Sequence, residues 1–266
     1  MGKALVVNVG TASDPSSAFT AVTAGSGSSL TVENFATADT AELVELTRQG
    51  ATAGAVRVRS PKLSDQQQGI RFACSAGLES FLLPRDYQQE LYPQDALTIE
   101  VTGGATEVDG AAWSFYYDNL PGISQRLHMP GDFSGNIAYV DTWEVDVTAS
   151  GTAGNFGTAL LNSLYSVIPN NTDIAIFGYT TDTAVLAVAL NGTETGNLYL
   201  GGPGDTVPYR TRDYFARLST DLGKPCVPVL NTGNSSAIEV AVAQTATSGT
   251  VKVTLTLAIL KQLVTP

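Results

Sequence analysis

The feature that most constrains this chain is a hairpin pattern written twice. Leu97-Thr98-Ile99-Glu100-Val101 is followed by a Gly/Thr turn and then by Ala112-Trp113-Ser114-Phe115-Tyr116-Tyr117. Near the end, Ala237-Ile238-Glu239-Val240-Ala241-Val242 is followed by a Thr/Ser/Gly turn and then by Val251-Lys252-Val253-Thr254-Leu255-Thr256-Leu257. Each alternates with period two, so each reads as a pair of antiparallel strands with one face toward a core. A chain that closes both halves in the same way is expected to be two β-units in series.

The elements before each hairpin follow one order. In the first half the pattern predicts a strand over 30–35, a helix over 40–49 and strands over 55–59, 70–75 and 80–83. In the second it predicts a strand over 142–149, a helix over 158–168 and strands over 174–179, 184–190 and 198–200. The first helix rests on Asp39 and Glu42 as a capping box, the run Leu43, Val44, Leu46, and Gly50 as a stop. The second rests on Asn155 as a cap and on Leu160, Leu161, Leu164 and Ile168 before Pro169. Residues 213–222 fit more than one state. The second copy runs longer, and its surplus falls in 201–225. Alternation assigns Val56 and Val58 to a core with Arg57 and Arg59 opposite, and Trp143, Val145 and Val147 to a second core. The runs 174–177 and 184–190 are almost continuously apolar, as in strands covered on both faces. Pro121-Gly122 and Pro130-Gly131 mark a stiff joint between the halves.

Length and charge narrow the function. The chain has 266 residues, 43% hydrophobic and 15% charged, against about 25% charged in an average domain. A surface so poor in charge fits burial against other subunits, or a Thr/Ser/Asn-rich exterior. The net charge of −11 leaves no basic footprint for a phosphate backbone, so no direct nucleic-acid partner is expected. Cys74 and Cys226 lie in opposite halves without a CxxC and read as buried thiols. The apolar start (Ala4 to Val9) is too short for a signal core, and no stretch approaches the ~20 apolar residues of a membrane span. Synthesis in a cytoplasm without a cleaved leader is the expectation. The sequons at Asn170, Asn191 and Asn234 then read as chance.

Chemistry-bearing candidates are few. His128 is the one histidine and sits in the joint, so a histidine metal site or a Ser-His-Asp triad has nothing to build on. Gly201-Gly202-Pro203-Gly204-Asp205 lacks the Lys-Ser/Thr of a phosphate loop and reads as a turn. Glu144 and Asp146 share a strand face at a spacing a glycosidase pair could use, though an exposed acidic face is the commoner reading. Asp118-Asn119 and Asn170-Asn171-Thr172-Asp173 are oxygen-rich but lack EF-hand spacing. Trp113, Phe115 and Tyr117 share one face, as a core or as a sugar-stacking platform. No catalytic residue, cofactor site or metal site is assigned.

Short alternating strands between turn-rich loops point to sandwiches, and eight strands in two Greek keys make a jelly roll. The expected fold is all-β, two consecutive jelly-roll sandwiches with a short helix in each. The expected division is 1–29 as an N-terminal extension, 30–120 as the first roll, 121–140 as a connecting segment and 141–266 as the second roll. This element order resembles the double jelly-roll major capsid proteins of icosahedral viruses, including tailless, membrane-containing bacteriophages. The resemblance covers roughly 30–260 and rests on element order, without a diagnostic motif. It implies a non-enzymatic major capsid protein, located in the virion, that trimerises and tiles an icosahedral shell. The implied partners are further copies of itself, other capsid or spike proteins and an internal membrane. On that reading, 201–205 are outer or contact loops. The alternative is a glycan-binding β-sandwich of a phage spike or fibre, which requires exposed Trp or Tyr.

Overall fold

The computed structural model describes residues 2–33, 41–61, 67–83, 89–120, 122–123, 125–161 and 169–263. The first half contains β1 (Gly2–Ser13), β2 (Thr20–Ala21), β3 (Thr23–Ala24), β4 (Ala41–Gly50), β5 (Gly54–Arg59), β6 (Ile70–Cys74), β7 (Gly77–Leu82), β8 (Gln89–Leu91), β9 (Thr98–Thr102) and β10 (Val108–Leu120). The second contains β11 (Leu127–His128), β12 (Ile137–Thr148), β13 (Phe156–Leu160), β14 (Asp173–Thr181), β15 (Val185–Gly192), β16 (Leu200–Gly204), α1 (Pro208–Thr211), α2 (Tyr214–Leu222), β17 (Val227–Asn231), β18 (Ile238–Ala243) and β19 (Thr250–Leu260).

The pairing rule is the same in both halves. In the second, the first long strand pairs with the last (β12 with β19), the next with the last but one (β13 with β18), then β14 with β17 and β15 with β16, all antiparallel. The first half repeats this as β1 with β10, β2 with β9, β4 with β7 and β8, and β5 with β6. A long hairpin folded over on itself in this way is a jelly roll. The fold is therefore all-β, with two rolls in series. Its sheets are sheet I (β2-β9-β5-β6), sheet II (β3-β1-β10-β4-β7, with β8 on β4), sheet III (β13-β18-β15-β16) and sheet IV (β11-β17-β14-β19-β12).

The sheets stack in that order. Val56, Val58, Ile99 and Val101 of sheet I pack against Leu43, Leu46, Trp113 and Phe115 of sheet II as the first core. Trp143, Val145, Val253 and Leu255 of sheet IV pack with Val188, Val240 and Val242 of sheet III as the second. A third cluster joins the rolls, with Val7, Val9 and Ala112 of sheet II on Leu186, Ala187, Ala189, Ala241 and Ala243 of sheet III. Each large apolar side chain taken from water there stabilises the junction by roughly 1.5–3 kcal/mol.

The rolls run parallel. Gln49 donates to the Ala184 carbonyl at 2.9 Å, joining the β4–β5 turn to the β14–β15 turn. The Ser26 amide donates to Asn155 Oδ1 at 2.8 Å.

Several elements depart from the sequence expectation. The 40–49 helix is the strand β4, apart from residue 40, which with Asp39 lies outside the described residues. Its two faces are both buried: Leu43 and Leu46 enter the first core, while Val44 enters the second roll's core and Glu42 and Glu45 bond to that roll. With partners on both sides the strand loses its polar/apolar alternation and imitates a helix. The 158–168 helix begins as β13, and 162–168 lie outside the described residues. The helices instead fall at α1 and α2, within the surplus of the second copy. Residues 1–29, expected as an extension, contribute β1 to the middle of sheet II. The 30–35 strand reduces, where described, to a single bridge between Thr31 and Ala96.

The Gly-rich 201–205 segment, expected as a contact loop, belongs to the buried strand β16, followed by the buried Asp205. Its glycines make room: a Cβ on Gly201 would lie 1.9 Å from the Val188 carbonyl oxygen, and one on Gly202 would lie 2.1 Å from the Tyr214 hydroxyl. Bare backbone here lets β15 on one side and α2 on the other approach closely.

Candidate functional site

The polar groups that the fold concentrates lie where the rolls meet. Glu45 projects from β4 toward α2 and is 4% exposed. Its carboxyl accepts from the Tyr214 hydroxyl at 2.5 Å and from the Ser80 hydroxyl. Burial pushes Glu45 above the ordinary carboxylate range, against the pull of those two hydroxyls and of Arg217. A carboxyl held so far from water favours its protonated form. The arrangement ties sheet II to α2 by polar contacts that depend on one titratable group.

A cleft of about 410 Å³ opens beside it, lined from both rolls by Glu45, Glu79 and Leu82 of the first and by Pro203, Asp205 and Tyr214 of the second, among others. At the far side of the junction, Lys224 reaches Glu42 and Asp118, each at 2.7 Å. Burial works against its ammonium, but the two carboxylates outweigh that and hold Lys224 charged beyond the usual lysine range. Tyr116 donates to the Pro225 carbonyl at 3.2 Å, and Gln125 links the Leu5 amide to the Thr195 carbonyl. These groups form a polar rim around the apolar cluster of Val7, Val9 and Leu186, the usual layout of an interface.

The sequence candidates separate clearly. Trp113, Phe115 and Tyr117 do share a face, and it is the first core, at 0–3% exposure. Glu144 and Asp146 lie on the outward face of β12, with Lys252 3.3 Å from Glu144. His128 sits on β11 against Phe133; burial lowers its pKa, with Asp132 pulling the other way. Asp118 is committed to Lys224, while Asp173 accepts from Arg126 and Asn231. Both cysteines are free and buried, and burial pushes Cys74 up to about 11 and Cys226 up to about 12. Thiols so poorly ionised are weak nucleophiles. Among the described residues no three His, Cys, Asp or Glu cluster as metal ligands, and no helix is long and apolar enough to cross a membrane.

Sequence reading missed the Glu45 constellation. Ser80 and Tyr214 lie 35 and 169 residues from Glu45, and no local spacing marks them. Two glutamates inside an apolar run are the available signal, but Glu42 reads as half of a capping box and Glu45 is given no role.

The outward faces of the stack differ in charge. On sheet I, Arg57 and Arg59 both reach Glu100, at 2.6 and 2.7 Å. Burial pulls Glu100 upward, and the two guanidiniums outweigh it and hold the carboxyl below its usual range. Arg57 also lies 3.9 Å over the ring of Phe19, with Arg71 5.2 Å from the same ring. On sheet IV the outward residues of β12 and β19 include Thr142, Glu144, Asp146, Lys252, Thr254 and Thr256, with the exposed Tyr139 and Val140 at the start of β12.

No family model and no curated protein matches the chain. Among solved structures it is similar to the VLP of the giant freshwater prawn Macrobrachium rosenbergii extra small virus (XSV). The identity is 13% over 45% of this chain and 82% of that one, with a TM-score of 0.26. It is also similar to an archaeal virus structure described by its triple jelly roll fold and turret assembly. There the identity is 12% over 98% of this chain and 79% of that one, with a TM-score of 0.23. Scores this low leave the fold resting on the strand pairing described above.

Proposed function

We propose that this chain is a non-enzymatic virion structural protein, a major capsid protein that trimerises and tiles an icosahedral shell. The observation that carries this reading is the welding of two parallel jelly rolls into one four-sheet block. Two similar rolls give one chain two similar lateral units. Three such chains supply six units, enough for a nearly hexagonal footprint that packs a flat facet. The low charge content fits a surface spent largely on contacts between copies, where interface cores are depleted of charge. Glu45, Tyr214 and Lys224 then serve to hold the two rolls in one fixed orientation.

The glycan-binding alternative loses the platform of Trp113, Phe115 and Tyr117, which are buried, and keeps only the separate exposed tyrosines Tyr92, Tyr139 and Tyr209. The test is the mass of the native protein by light scattering, with electron microscopy of the same sample. Particles of three times 27.7 kDa, or shells built of hexagonal capsomers, are the expected result. A monomer that persists at all concentrations refutes the reading and makes a glycan array the next experiment.

A further inference from the structure

The junction inside the chain is a template for a junction between chains. Within one molecule, the outward face of sheet II rests on the outward face of sheet III. Sheet IV is the second roll's counterpart of sheet II, and sheet I is the first roll's counterpart of sheet III. The β12–β19 part of sheet IV and the β5–β6 part of sheet I both present exposed side chains at the two ends of the stack.

The two ends are complementary. Across sheet I the register aligns Arg71, Arg57 and Glu100 in one row, with Arg59 beside them. That is three guanidiniums to one carboxylate, in a chain with 14 basic and 25 acidic residues. On sheet IV the outward charges are Glu144 and Asp146 against Lys252, and the exposed Asp182 at the rim accepts from the Lys252 amide at 3.0 Å. We propose that the outward face of sheet IV docks on the outward face of sheet I of a second copy, continuing the stacking order of the chain into the next molecule.

This inference rests on the self-assembly proposed above and assigns surfaces to it. Such a contact is head-to-tail: each copy offers both faces, and the series closes into a ring or runs on as a filament. It differs in kind from the internal junction. That junction is built of valine, leucine and alanine, whereas this one is built mainly of threonine and charge beside the exposed Tyr139 and Val140, so it is reversible and weakens with salt.

A charge exchange in the full-length chain tests it. Arg71 and Glu144 are both exposed, so Arg71→Glu and Glu144→Lys keep the wild-type thermal midpoint, checked by circular dichroism. Sedimentation equilibrium at low salt then reads the association. Each single variant is expected to associate roughly tenfold or more weakly than wild type, and Arg71→Glu/Glu144→Lys to recover most of the loss. Single variants that assemble as the wild type does overturn this contact while leaving self-assembly standing. Loss in both singles without recovery in the double overturns the pairing of these two faces. A wild type that stays monomeric overturns the contact together with the reading beneath it.

Discussion

The two rolls share one pairing scheme and differ at one connection. In the first, Ser75 and Ala76 alone join β6 to β7; in the second, the corresponding link from β16 to β17 carries α1 and α2. The inserted helix α2 buries Tyr214, Phe215, Leu218 and Leu222 in its own roll. It also extends Tyr214 across the junction to Glu45 of β4, between β10 and the β7 edge of sheet II. The second roll thus brings its own side cover and shares it with the first, whose Leu5, Val44 and Tyr116 join the second roll's core. Duplicated topology, once welded, need not stay symmetric: the copy with the insertion becomes the one that holds both together.

The largest expected effect tests whether the weld makes one cooperative unit. Val253 is fully buried in the second core. Val253→Asp places a carboxylate there without a partner, at upwards of about 5 kcal/mol. Because sheet II shares its second face with that roll, the first roll is expected to fail with it. Far-UV circular dichroism should show a single loss of structure, and limited proteolysis should leave no fragment. A resistant fragment spanning 1–120 would show two independent domains and break the comparison.

Next in size is a contrast between the buried ion pairs of the two rolls. Arg48 and Asp109 of the first meet at 2.5 Å with both side chains at 0% exposure. Arg48 also donates to the Thr52 and Ser75 carbonyls. Removing the guanidinium strands a buried carboxylate, so Arg48→Met should lower stability by about 3–5 kcal/mol. In the second roll's pair Arg126 is 17% and Asp173 1% exposed, but Asp173 also accepts from the Asn231 side-chain amide, a donor that stays when the guanidinium is removed, whereas Asp109 Oδ1 has no such partner. Arg126→Met should therefore shift the urea midpoint less than Arg48→Met. Equal shifts would mean that the remaining Asn231 donor does not distinguish the two sites.

How much of this was legible follows from how each strand is covered. Where one face meets water the alternation survives: Val56 and Val58 against Arg57 and Arg59, and Trp143, Val145 and Val147 against Glu144 and Asp146, are all placed as read. Strands covered by apolar layers on both sides, such as β15, show as continuous apolar runs. Covering a strand by polar partners hides it, which is why β4 imitated a helix. The repeat itself is visible in the closing hairpins, but the sequence pattern aligns its front one strand out of step. It matches 55–59 with 174–179, whereas β14 at 173–181 corresponds to β4. The error follows from reading β1 as an extension: without the first strand, every later match slips by one. Strand β16 is read only as far as Leu200 because its glycines signal turns locally, while the reasons for them, the Val188 carbonyl beside Gly201 and the ring of Tyr214 beside Gly202, lie beyond the strand itself.

The smallest effect is the most specific to the weld. Tyr214→Phe removes one donor from a buried carboxyl that keeps Ser80, and should lower stability by about 1–3 kcal/mol. Its companion measurement is pH. Burial raises Glu45 in the folded state above its ordinary value, so between that value and the folded one the native protein binds the extra proton. Stability from this group is complete below the ordinary glutamate value and is lost as pH rises through the folded one. Glu45→Gln carries no such proton, so its stability should lack this decline. Compared from acid to alkaline pH, the thermal midpoint of wild type should fall relative to that of Glu45→Gln as pH rises. A constant difference across the range would mean that Glu45 titrates alike in both states, and that the weld carries no buried proton.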